Sequence, residues 1–337
     1  MTKPLVNLIL ITATAVCASS AFSDPVIDAA IQNTFSHAQQ MVDIGGRRLN
    51  LYCSGVGTHT VIFDAPSGDS GWSWLTVQPE VAKLSRACVY DRAGLGFSDP
   101  AIRPGTSENA VEDLHTLLSN AGIQPPYIMV GNSYGGANVQ LYAYRYPDQV
   151  SGLVLVEAGH EDESARQNVV TKGKLAQFYA MINAIEKTCV TQAEQGFKPG
   201  SEPLATCMAG MGSDYGRQLD AAQFAVRISP DYWRARASES SQFELSDAQL
   251  RAARRSFGSL PLVVLSRGIS PYAEPGKPQS ALNKASENEN LALHKEMAGL
   301  STRGVHRVVA GAGHVIQASH PEAVVNAVAE VLSQTQH

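Results

Sequence analysis

The chain has 337 residues, of which 44% are hydrophobic, 17% charged and 7% aromatic. That composition excludes a disordered chain, and the length fits one large α/β domain with an insertion or two ordinary domains. A formal net charge of −5, from 26 basic and 31 acidic residues, excludes a general nucleic-acid binder, which needs a basic face.

The amino terminus has the pattern of an export signal. Lys3 supplies a positive start, Leu5 to Ala18 is apolar, and Ala21-Phe22-Ser23 places small side chains before Asp24. Residues 1–23 therefore read as a signal peptide, with a mature chain that has no membrane span and a periplasmic or secreted location. The apolar stretch is short for a membrane helix, which needs about 20 residues. A retained anchor helix is the alternative. Cys17 also suggests a lipoprotein, although Val16 is bulky for that signal. Removing Cys17 leaves Cys53, Cys88, Cys189 and Cys207, an even number that suits disulfides in an oxidising compartment; free thiols are the other reading. No Cys/His spacing suggests a zinc site.

In chain order, strands are predicted over residues 49–53, 60–63 and 87–90, then a helix over 108–121. A strand at 127–130, a helix at 138–146 and a strand at 153–156 follow. From about His160 to Gly258 no strand is apparent, and amphipathic helical segments carry scattered aromatics such as Phe178, Tyr179, Trp233 and Phe243. Strands return at 260–265 and 307–310, with a last helix over 321–332. Such alternation predicts an α/β fold: a mostly parallel sheet covered on both faces, formed by residues 24–159 and 259–337. Residues 160–258 form a helical insertion over it.

The chemistry centres on Gly131-Asn132-Ser133-Tyr134-Gly135. This G-x-S-x-G string is weak alone, but the strand Tyr127-Ile128-Met129-Val130 runs directly into it and a helix follows. A strand-to-helix elbow of that kind exposes a serine hydroxyl above the sheet, at the positive end of a helix. Ser133 is the candidate nucleophile. For its base, His314 stands out in Gly311-Ala312-Gly313-His314 between the last strand and the last helix. His320, His306 and His160 are the alternatives.

With Tyr90-Asp91-Arg92-Ala93-Gly94-Leu95-Gly96-Phe97-Ser98-Asp99, these segments resemble the α/β-hydrolase superfamily, in its serine esterase, lipase and peptidase-like branch. The resemblance implies the α/β-hydrolase fold, with residues 160–258 as its variable helical cap. It also implies that Asp91 and Arg92 brace a loop beside the elbow rather than act on substrate. An oxyanion hole of two backbone N–H groups is implied too, one from Tyr134 and one from the loop after the third strand. There Ala65-Pro66 stands where relatives often carry His-Gly, so the second donor falls on Ser67.

Relatives commonly carry an Asp after the seventh strand, but here that turn is Ser266-Arg267-Gly268-Ile269-Ser270. Some place the acid after the sixth strand, and Glu157 occupies that position at the end of an apolar run. Glu157 is the candidate acid and Glu274 its rival. The mechanism implied is acyl transfer through Ser133, His314 and Glu157 with no metal or organic cofactor. The substrate is a small-molecule carboxylic ester with a small or medium apolar group. An amidase or aminopeptidase, or a non-catalytic binding protein on the same scaffold, are the other readings. In the resembled fold the second and fourth strands are neighbours, which implies a Cys53–Cys88 bridge and leaves Cys189–Cys207 within the cap.

Overall fold

The structure, a computed structural model, describes residues 27–209, 215–273 and 276–335. The export signal with Cys17, and the rival acid Glu274, lie outside the described residues.

Eight strands form one sheet in the order β1-β2-β4-β3-β5-β6-β7-β8. They are β1 (Gln40–Asp43), β2 (Arg48–Ser54), β3 (Thr60–Asp64), β4 (Arg86–Tyr90), β5 (Tyr127–Asn132), β6 (Val150–Val156), β7 (Leu262–Arg267) and β8 (Gly304–Val309). β1–β2 and β2–β4 pair antiparallel, and every other pairing is parallel. This is the α/β-hydrolase fold expected from the sequence.

The central strands read as unbroken apolar runs because both faces are covered. Ile62, Met129, Leu155 and Val264 face one core with the helices Ser107–Asn120, Tyr134–Arg145 and Ala281–Ala298. Their neighbours Phe63, Val130, Val156 and Leu265 face the other, against Trp74 and the helix Pro321–Gln334. Several elements were not anticipated, three of them beside the core. β1 is four residues long with only Val42 buried, too short to show a period. Ala29–Phe35 is a seven-residue helix that buries only Phe35. Ala281–Ala298 buries Ser286, Asn290 and His294 beside Leu293 and Met297, so its inner face carries no clear apolar stripe.

Between β6 and β7 the described residues form six helices: Glu163–Val170, Lys174–Gln195, Glu202–Met208, Arg217–Arg227, Pro230–Ser241 and Phe243–Ala253. Tyr232, Trp233 and Ala235 pack there with Leu95 from the loop after β4, which joins this helical layer to the sheet. A Cys189–Cys207 disulfide ties two of the helices together. Cys53 and Cys88 face each other in the β2–β4 register and are also bonded. Both pairs are those expected. Among the described residues no helix is long and apolar enough to cross a membrane.

Candidate active site

β5 ends at Asn132 and the helix Tyr134–Arg145 begins one residue later, leaving Ser133 between them at φ 54° and ψ −119°. A non-glycine residue held there costs on the order of 1–3 kcal/mol, which the surrounding bonds must offset. They are present. Ser133 N–H donates to Val156 O at 3.3 Å, and its carbonyl accepts from Gly136 N at 2.9 Å and Gly159 N at 2.9 Å. The motif glycines follow from close packing. A Cβ on Gly131 would lie 2.3 Å from the Gly135 carbonyl oxygen, and one on Gly135 would lie 2.4 Å from the Asp64 oxygen. The elbow is therefore wedged against the loop after β3.

Ser133 opens into a cleft that His314 and Glu157 also line, with Tyr179, Phe243 and Asn290 among its walls. His314 Nδ1 lies 3.8 Å from Glu157 Oε1. The His314 loop is pinned to the elbow by Asn132, whose Nδ2 donates to Val156 O at 2.8 Å and to His314 O at 3.3 Å. Of the other histidines weighed for the base, His160 is buried beside Arg254. His306 hydrogen-bonds Ser266 on β7, and His320 contacts Ser319. None of these three lines the cleft.

Glu157 follows β6 directly at φ 46°, and its carboxylate is almost wholly buried. Arg267 holds it twice, through a backbone N–H donated to Oε2 at 2.6 Å and through its guanidinium on Oε1. Asn290 Nδ2 adds a bond to Oε1 at 3.1 Å. Burial alone would push the carboxyl up. Pairing with His314 and the charges of His294 and Arg267 outweigh that and hold it down at about 2. It therefore stays ionised beside the imidazole, as an orienting acid must.

Sequence reasoning missed Arg267, Asn290 and Asn132, since nothing in an isolated Arg or Asn marks it as a carboxylate or loop anchor. It also missed two acids in the cleft wall. Glu163 and Asp247 line the same cleft as Ser133, and neither has a cation at ion-pair distance among the described residues. Burial pushes Asp247 up to about 7, with Ser164 opposing through a hydrogen bond. Burial likewise raises Glu163, while His314 opposes.

The loop after β3 is bound through Arg92, as the resemblance implied. Its guanidinium donates to Asp64 Oδ1 at 2.6 Å, Ala65 O at 2.7 Å and Pro66 O at 2.8 Å. Asp91 instead accepts from Asn50, Gly71 N–H and Phe97 N–H. Both residues brace loops and neither lines the cleft. Tyr134 lines it, whereas Ser67 belongs to the braced loop, where its Oγ donates to Glu239, and is not among the residues that line the cleft. Among the described residues one cluster has metal-like spacing, His160, Glu161 and Asp162. Arg254 pairs with Glu161 and Arg251 with Asp162, so arginine cations already fill the place a metal would take.

Comparison with known proteins bears on the fold. Residues 55–183 match a family described as alpha/beta hydrolase fold. A 2-hydroxy-6-oxo-2,4-heptadienoate hydrolase of Pseudomonas putida is 34% identical over 133 residues, covering 37% of this chain and 46% of that protein. An esterase structure from Thermogutta terrifontis superposes with a TM-score of 0.55 at 18% identity, covering 89% of this chain and 100% of that one. The epoxide hydrolase CorEH gives a TM-score of 0.57 at 16% identity, covering 89% and 99%. The chain spans about half or less of the length of the curated relatives it matches.

Proposed function

We propose that the chain, which has the α/β-hydrolase fold, is an exported serine hydrolase of that superfamily acting on a carboxylic ester of small or medium apolar character. One observation carries the reading. Ser133 and His314 line a single cleft, and an ionised carboxylate, Glu157, stands 3.8 Å behind the imidazole. In this reading His314 takes the Ser133 proton as the oxygen attacks the acyl carbonyl, and Glu157 orients and stabilises the imidazolium. The backbone N–H groups of Tyr134 and Ser67 receive the oxyanion. Protonated His314 then releases the alcohol, and water activated by the same imidazole frees the acid. The two disulfides support an oxidising location.

A serine at the elbow separates this chain from hydrolases of the fold that attack with an aspartate. The cleft aromatics Tyr179 and Phe243 suit an apolar acyl or alkyl group. The test is a panel of p-nitrophenyl esters of increasing chain length beside aminoacyl anilides. Turnover of short and medium esters supports the proposal, and absence of all ester turnover contradicts it.

One feature favours a second reading, an amidase or aminopeptidase using the same residues. Glu163 and Asp247 would pair with an ammonium group on the substrate. Anilide cleavage exceeding that of the matched ester would establish it.

A further inference from the structure

The helix Pro230–Ser241 of the insertion is seated on the sheet domain at three glycines. A Cβ on Gly68 would lie 2.7 Å from Arg236 Nη1, one on Gly94 2.7 Å from the Ala235 Cβ, and one on Gly105 2.7 Å from Glu239 N. At Gly94 and Gly105 the clash would be with a Cβ and with backbone, so the helix approaches the sheet domain closely there. Gly105 N–H also donates to Ser238 Oγ at 2.9 Å.

From that seat Glu239, 4% exposed, reaches into the sheet domain. Its Oε1 accepts from Arg92 Nε at 2.6 Å. Its Oε2 accepts from Arg92 Nη2 at 3.1 Å, Ser67 Oγ at 3.0 Å and Gly68 N–H at 2.8 Å. Together with Asp64, Ala65 O and Pro66 O, these contacts use all five guanidinium donors of Arg92. Each residue from Asp64 to Gly68 is thereby bound to Arg92 or Glu239. One of the two anchors belongs to the insertion.

We propose that Glu239 is a positioning residue for the oxyanion hole: the docked insertion helix holds the 64–68 loop in the geometry that presents the Ser67 backbone N–H to the reacting carbonyl. This rests on the reading of Ser133 as nucleophile and Ser67 as donor. The oxyanion forms only in the transition state, so a displaced donor lowers kcat and leaves KM little changed. Loss of one oxyanion donor costs about 10²–10³ in rate, and loosening its loop costs part of that.

The experiment measures ester hydrolysis and trifluoromethyl ketone inhibition for the wild type, Glu239→Gln and Glu239→Asp. The ketone adds to the serine and fills the oxyanion hole, so its affinity reads the hole directly. Glu239→Gln sets an amide against the loop and Arg92 donors. Glu239→Asp keeps the charge opposite Arg92 but is one methylene too short for all four bonds, and it serves if Glu239→Gln fails to fold. The expected result is a kcat loss of about 10–100-fold, with KM within about threefold and ketone affinity falling in parallel with kcat. Wild-type kcat and ketone affinity in a folded variant would overturn the proposal, as would a rise in KM alone. A wild-type enzyme that a fluorophosphonate does not label would instead overturn the serine reading on which it rests.

Discussion

Arg267 donates its backbone N–H to Glu157 at 2.6 Å and sets its guanidinium against the same carboxylate. The end of β7 thus carries the residue that holds the carboxylate following β6. Held at about 2, the Glu157 carboxyl is ionised throughout the neutral range. The stability it contributes is complete above the ordinary glutamate value of about 4.3 and is lost only as the pH falls towards 2. Glu157→Gln is expected to lower kcat by roughly 10²–10⁴ with little change in KM, while Glu274→Gln does far less. The reverse ranking in steady-state kinetics would move the acid to the segment after β7.

Asp247 behaves oppositely. Burial pushes its carboxyl up to about 7, so between about 4 and 7 the folded chain holds a proton that the unfolded chain has released. Stability therefore falls as pH rises through that window. Asp247→Asn is expected to raise Tm at pH 8 and leave it nearly unchanged at pH 4. An equal shift at both values, read by calorimetry, would show that the group does not titrate in this way.

Gly135→Ala tests why the elbow needs its glycines. The new methyl would meet the Asp64 and Ala65 carbonyl oxygens at 2.4 and 2.5 Å, so either the nucleophile or the loop after β3 must move. A displacement of about 1 Å at a reacting centre costs on the order of 10²-fold in rate. The expected outcome is a folded or marginally folded protein with at least that loss. Wild-type kcat would contradict the packing argument.

The Cys189–Cys207 bridge closes a loop with a sequence separation of 18, worth about 3 kcal/mol by the chain-entropy account. Replacing both cysteines with alanine is expected to lower the denaturation midpoint and leave Ser133 labelling at saturating probe unchanged. No change in the midpoint would show that the helical insertion does not gain stability from the bond.

Much of the fold was legible because β3, β5, β6 and β7 are buried on both faces and so are written as apolar runs. Ser133 was legible because close packing confines its neighbours at 131 and 135 to glycine, and His314 because a run of small residues marks its loop after the last strand. Asn132, Asn290 and Arg267 were not, since each acts across the sheet on a partner at least 24 residues away. A single chain read in order gives no signal for such pairings. Glu163 and Asp247 were hidden for a related reason. They sit on ordinary polar helices, and only docking of the insertion turns them towards the nucleophile.

Covalent labelling decides whether Ser133 is an activated nucleophile. The chain is treated with a fluorophosphonate and the adduct located by peptide mass spectrometry, beside Ser133→Ala. The expected result is one adduct on Ser133, loss of esterase activity in step with labelling, and neither labelling nor turnover in the variant, whose fold is intact by circular dichroism. A folded Ser133→Ala protein that keeps more than about a tenth of wild-type turnover, or a wild-type chain labelled elsewhere, would contradict it.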